Sequence, residues 1–115
     1  MTAANTWYDG PSVELGEGTW MVSGALLVLG TAAMQGITAR ISDGTTHHAS
    51  AEFSYGDNVG YAITLSLPRR EVALAVTTTI KLQAASTVAG AVIKAATTVN
   101  GSGNNASWIT AERVG

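Results

Sequence analysis

The feature that most constrains this chain is the spacing of its apolar residues. Over most of the sequence they occupy alternate positions, and Gly, Asn, Asp or Pro breaks the run at intervals of about ten residues. Successive side chains of an extended strand point to opposite faces, so this period describes strands buried on one side, and the breaks describe turns. Trp20, Val22, Gly24, Leu26 and Val28 share one face of such a strand. Met21, Ser23, Ala25, Leu27 and Leu29 share the other, which is apolar only in its second half, as expected for a strand in the middle of a sheet. Ile37, Ala39 and Ile41 alternate with Thr38, Arg40 and Ser42 up to the turn signal Ser42-Asp43-Gly44. Ala51 and Phe53 oppose Glu52 and Ser54, ending at Tyr55-Gly56-Asp57-Asn58.

The second half repeats the pattern. Tyr61, Ile63, Leu65 and Leu67 form a face that Pro68 is expected to close, because proline cannot donate a ladder hydrogen bond. Arg69-Arg70-Glu71 then reads as a short connection to Val72, Leu74 and Val76. Thr78, Ile80, Leu82 and Ala84 against Thr79, Lys81, Gln83 and Ala85 is the cleanest alternation in the chain. Ala91, Ile93 and Ala95 suggest another strand, with a short helix over Ala89–Ala96 as the alternative. Asn100–Asn105 reads as a loop without an apolar side chain, and Ser107–Val114 as the last strand. The expectation is one all-β domain over residues 1–115, an antiparallel two-sheet jelly-roll sandwich of about eight strands. Runs such as Val76-Thr77-Thr78-Thr79-Ile80 agree, since β-branched side chains suit a pleated surface.

Composition narrows the function. Hydrophobic residues are 46% of the 115 and charged residues only 12%, enough for a core and too apolar for disorder. A formal charge of −2 is of the wrong sign to draw the chain onto nucleic acid or an anionic membrane. With no cysteine there is no disulfide, thiolate nucleophile or Cys-based zinc site. The longest apolar runs, such as Ala25–Leu29, fall far short of the roughly 20 residues of a spanning helix, and Met1–Thr6 does not read as a secretory signal, so a soluble protein is expected.

Chemistry-bearing motifs are sparse. His47 and His48 are the only imidazoles, and strict alternation sends them to opposite faces, so one chain should not hold one ion with both. Asp43, Glu52 and Asp57 lie nearby without the spacing of a calcium loop, and neither a Gly-x-Ser-x-Gly elbow nor a phosphate-binding glycine loop occurs. No enzyme activity, metal or cofactor is expected. Saccharide recognition needs an aromatic face beside fixed polar partners, and Tyr55-Gly56-Asp57-Asn58-Val59-Gly60-Tyr61 supplies both. The candidate ligand-binding residues are therefore Tyr55, Asp57, Asn58 and Tyr61, the alternative being an ordinary hairpin turn. Asn100-Gly-Ser102 and Asn105-Ala-Ser107 match the glycosylation sequon and are read as turn residues.

Ser12–Gly24, with its Leu15-Gly16-Glu17-Gly18-Thr19-Trp20-Met21-Val22-Ser23-Gly24 core, resembles the opening strand of bacteriophage tail-fibre and receptor-binding head domains, whose jelly roll is similar to the C1q and tumour necrosis factor fold. The resemblance extends loosely to Ile41-Ser42-Asp43-Gly44-Thr45, to Val72-Ala73-Leu74 with Thr79–Ala84, and to Trp108–Val114. It implies a trimer on the surface of a virion, contacting other virion proteins and binding a cell-surface saccharide or receptor. The chain departs from the family in beginning only a few residues before its first strand. A structural virion subunit without receptor binding and a cellular C1q-like or lectin-like domain are the alternatives.

An oligomer is also expected from the residues themselves. If Ile109 and Ala111 point inward, Trp108, Thr110 and Glu112 point outward, and an exposed Trp beside apolar strands marks an interface. Trp7, Trp108 and Glu112 are the expected interface residues, with Glu112 meeting Arg40 or Lys81 of a neighbouring protomer. A sandwich this poor in charge also needs cover for its open sheet edges, which a trimer would supply.

Overall fold

The alternating pattern folds as strands in the computed structural model, which describes residues 3–29, 36–54, 62–87, 90–94, 96–99, 102–105 and 107–115. In chain order the strands are β1 (Tyr8–Leu15), β2 (Gly18–Leu29), β3 (Gly36–Ser42), β4 (His47–Ser54) and β5 (Ala62–Leu74), then β6 (Thr78–Ser86), β7 (Val92–Lys94), β8 (Ala96–Val99), β9 (Ser102–Asn105) and β10 (Trp108–Arg113). No helix occurs among the described residues. One sheet has the order β1-β6-β3-β4; the other is β10-β2-β5, with β7 also on β2, and β8 and β9 form a separate two-stranded ribbon. Every pairing is antiparallel. The expected all-β sandwich of two antiparallel sheets is therefore the architecture.

The core lies between the sheets. Ile37, Ala39 and Ile41 of β3 and Ile80, Leu82 and Ala84 of β6 face Val22, Leu26 and Val28 of β2, all of them essentially without exposed surface. Leu65, Leu67, Val72 and Leu74 of β5 complete the second layer. β2 is central, hydrogen-bonded to β5 on one side and to β10 and β7 on the other. Ala25 and Leu27, on its opposite face, are buried as well, which is why its second half is apolar on both sides. At Gly24 the layers come close: a Cβ there would stand 2.7 Å from Leu82 Cδ1 of the facing sheet and 2.6 Å from the Trp108 carbonyl oxygen of the adjoining strand.

Strict alternation fails at three bulges. Pro68 does not close a strand: β5 runs through it, and Arg69-Arg70-Glu71 is strand rather than connection. Gly24 faces Leu67 and Val22 faces Arg70, so Pro68 and Arg69 together oppose Ser23. That extra residue moves the buried positions from Leu65 and Leu67 to Val72 and Leu74, from odd numbers to even. Val76, expected on the same inner face, lies beyond the strand and is 69% exposed. Pro11 occupies the corresponding bulge of β1, between Asp9 and Ser12. The third bulge falls at His48, because Ile41 faces Ala49 while Ser42 faces His47.

The strand expected around Ala91–Ala95 is present as the three-residue β7, Val92–Lys94, paired with β2. One further expectation needs correction. Part of the expected loop Asn100–Asn105 is β9, paired with β8 from Ala96↔Asn105 to Val99↔Ser102. A strand can pair through its backbone whatever its side chains, and Ser102–Asn105 carries no apolar alternation that would announce one.

Gly24→Ala should destabilise the protein by about 1–3 kcal/mol, since Leu82 and the β10 backbone must both shift. Leu82→Ala should cost about 2–5 kcal/mol through the cavity it leaves. Gly16→Ala, with nothing within 4 Å of the added methyl, should leave the denaturation midpoint nearly unchanged in a urea titration that follows all three variants.

Candidate functional site

On the outer face of the first sheet, side chains from different strands join in one polar row. Asp9 of β1 accepts a hydrogen bond from Gln83 Nε2 of β6 (2.8 Å) and one from Lys81 Nζ (3.3 Å). Gln83 Oε1 in turn accepts from Arg40 Nε of β3 at 2.8 Å, and Arg40 Nη1 lies 2.6 Å from His47 Nε2 of β4. The registers Asp9↔Gln83 and Gln83↔Arg40 place these residues side by side on one face, the distance at which cross-strand pairs meet.

Trp7 covers this row. The segment before β1 is fixed by the Asn5 N–H donated to the Ser86 carbonyl at 2.7 Å, with Asn5 in the left-handed region at φ 54°. The Arg40 guanidinium lies over the Trp7 ring, 3.8 Å from its centroid, a cation–π contact worth about 0.5–1 kcal/mol. Burial lowers the pKa of Arg40 from its ordinary value.

Beside this stack opens a cleft of about 370 Å³. Trp7, Arg40 and Thr38 line it from one side; His47, His48 and Ser50 line it from β4; Pro68 and Arg70 reach it from β5. Its volume is at the small end of the roughly 300–1,000 Å³ range of ligand sites. Two guanidinium groups and two imidazoles face it, and none of the described lining residues is a carboxylate. The Arg70 side chain forms no hydrogen bond or ion pair among the described residues; the neighbouring Arg69 is the one that meets Glu112.

The adjacent histidines, expected on opposite faces, both line this cleft, because the bulge at His48 interrupts the alternation. Their partners assign opposite tautomers. A guanidinium only donates, so His47 Nε2 accepts from Arg40 and the ring proton sits on Nδ1. His48 Nε2 lies 3.1 Å from Asp43 Oδ2, a carboxylate that only accepts, so here Nε2 carries the proton. Asp43 also accepts the backbone N–H groups of Thr45 (2.8 Å) and Thr46 (2.7 Å), while Gly44 takes the left-handed φ of 96° that the turn needs. Among the described residues no group of three or more His, Asp or Glu side chains is placed to hold a metal ion.

Tyr55, Asp57, Asn58 and Tyr61 lie outside the described residues. Trp108 is 42% exposed on the outward face of β10, while Ile109 and Ala111 pack against the core, as period two requires. Trp7 is half-buried against Arg40. Glu112 is exposed and accepts from Arg69 Nη2 of its own chain at 2.8 Å, and Lys81 and Arg40, its expected partners in a neighbour, are engaged by Asp9 and by Gln83 with His47. The cleft itself escaped sequence reasoning, because residues 7, 38–50 and 68–70 meet only through the sheet order. The chain matches no protein-family model, and no curated protein is significantly similar to it.

The two aspartates give the protein an acid-labile component. The Gln83 hydrogen bond, with Lys81, holds the Asp9 carboxyl below its ordinary 3.8; the Thr46 N–H, followed by Thr45 and His48, does the same for Asp43. A folded-state pKa below the unfolded one means the unfolded chain binds protons more readily, so these groups stabilise the fold above about pH 4 and the gain disappears as pH falls through their folded values. Unfolding midpoints measured from pH 6 down to pH 2 should fall across that window, and the Asp9→Asn, Asp43→Asn double variant should show a flatter acid limb.

Proposed function

We propose that this chain is the head domain of a virion appendage, a tail fibre or spike, and that it attaches to a host cell-surface saccharide. On this reading it is a trimer at the virion surface, related to the C1q-like jelly rolls, and acts by binding rather than by chemistry. The supporting observation is the cleft, which brings an indole ring, two guanidinium groups and the hydroxyls of Thr38 and Ser50 together on the face of a two-sheet β-sandwich. Sugars are recognised by an aromatic surface together with hydrogen-bonding groups held in place beforehand, and the Asp9–Gln83–Arg40 row holds Arg40 in place. Tyr55, Asp57, Asn58 and Tyr61 belong to the same proposal as a second place of contact.

Trp108 favours a second reading, a structural virion subunit with no receptor of its own. A Trp left 42% exposed beside the apolar end of β2 suits packing against another protein. The two readings separate on a glycan array. The attachment reading expects binding that Trp7→Ala removes while the chain stays folded, its stability falling only by about the 0.5–1 kcal/mol of the Arg40 contact; an array blank for the wild-type chain would leave the structural reading. For assembly, light scattering at micromolar concentration should give three times the 11.7 kDa chain, and Trp108→Glu should give one.

A further inference from the structure

We infer that the saccharide taken by the Trp7–Arg40 cleft is an acidic one, bearing a carboxylate or sulfate on a terminal residue; the inference rests on the attachment reading above. The reason is the imbalance of charge and hydrogen-bonding groups at the cleft. A protein that is net negative presents here two arginines and two imidazoles, with no carboxylate among the described lining residues. Two acids border the cleft: Asp43 already receives the Thr45 and Thr46 N–H groups and faces His48, so its charge is satisfied within its own turn, and Glu52 accepts from the Thr38 hydroxyl at 3.4 Å.

The arginines differ in role. Arg40 is held by three contacts: Nε donates to Gln83, Nη1 to His47, and the guanidinium plane rests on Trp7. Its Nη2 group has no hydrogen-bond partner among the described residues. Such a fixed fork loses little entropy on binding, and its Nη2 group is left to donate to an oxygen of a carboxylate or sulfate. The side chain of Arg70, from the other sheet, has no hydrogen-bond or ion-pair partner among the described residues and is free to turn onto the same anion or onto the ring hydroxyls. The Pro68 bulge bears on this directly: without the extra residue, position 70 would take the opposite parity of β5. Trp7 contributes an apolar ring edge and Thr38 and Ser50 contribute hydroxyls, a combination suited to a sugar ring more than to a bare anion.

The test uses the full chain and matched glycan pairs: sialylated, uronic-acid and sulfated oligosaccharides beside their neutral parents, with affinities read by calorimetry at two salt concentrations. An acidic member should bind at least tenfold more tightly than its parent and weaken with added salt. Arg70→Gln should weaken it roughly ten- to hundredfold, the range for loss of one charge-assisted hydrogen bond, and Arg40→Lys should weaken it similarly, because lysine keeps the charge and loses the fork. Unfolding midpoints of both variants establish that each remains folded. Equal binding of neutral and acidic glycans would overturn the acidic assignment and leave saccharide attachment standing, whereas no glycan binding at all would overturn both. Acidic binding untouched by Arg70→Gln and Arg40→Lys would overturn the cleft as its location, and competition by free sulfate at the concentration of the glycan would overturn the sugar component.

Discussion

The structure depends on the approach of β2 to β6 across the middle of the sandwich. Gly24 leaves a gap in the inward face of β2, and Leu82 occupies it, so the two layers meet between Val22 and Leu26. From that contact the rest of the register follows. A one-residue slip of β2 would turn Val22, Leu26 and Val28 to the outside and present Met21 and Ser23 to Leu82. Because β2 is hydrogen-bonded along both edges, fixing it also fixes β5, β7 and β10.

What the sequence disclosed and what it concealed divide along a physical line. The inner faces of β2, β3 and β6 were legible because each is an unbroken alternation in which burial selects the apolar set. The bulges were concealed, since one extra residue costs little in composition and changes the sense of everything after it. For β5 there was nonetheless a signal: apolar residues at odd positions up to Leu67 and at even positions from Val72 require an inserted residue or a break, and an Arg-Arg-Glu run inclines a reader to the break. The hairpin at Asp43-Gly44 was plain, but its bulge at His48 was not, and with it went the prospect of both imidazoles sharing one cleft. The cleft had no local signature. Trp7, Arg40 and Arg70 are brought together by strand order, and no window of the sequence contains all three.

The polar row on the outer face shows how a charge-poor protein uses its few charges. Asp9, Lys81, Gln83, Arg40 and His47 form one hydrogen-bonded sequence across all four strands of a sheet, so each side chain is oriented by its neighbour. Exposed pairs such as Arg69 with Glu112 add little to stability. The row does more through geometry, since it holds a guanidinium flat against an indole at the rim of a cavity.

The proline bulges have a consequence for the chain in a crowd. β1 over β10 and β4 over β5 are the two flanks of the sandwich, and each flank contains one strand interrupted by a proline, Pro11 on one and Pro68 on the other. An incoming strand from another molecule would meet a missing donor and a broken repeat within a few residues of β1 or β5, whereas the edges β4 and β10 carry no proline. Copies of this protein held shoulder to shoulder along β1 or β5 would therefore have to recognise one another through side chains there.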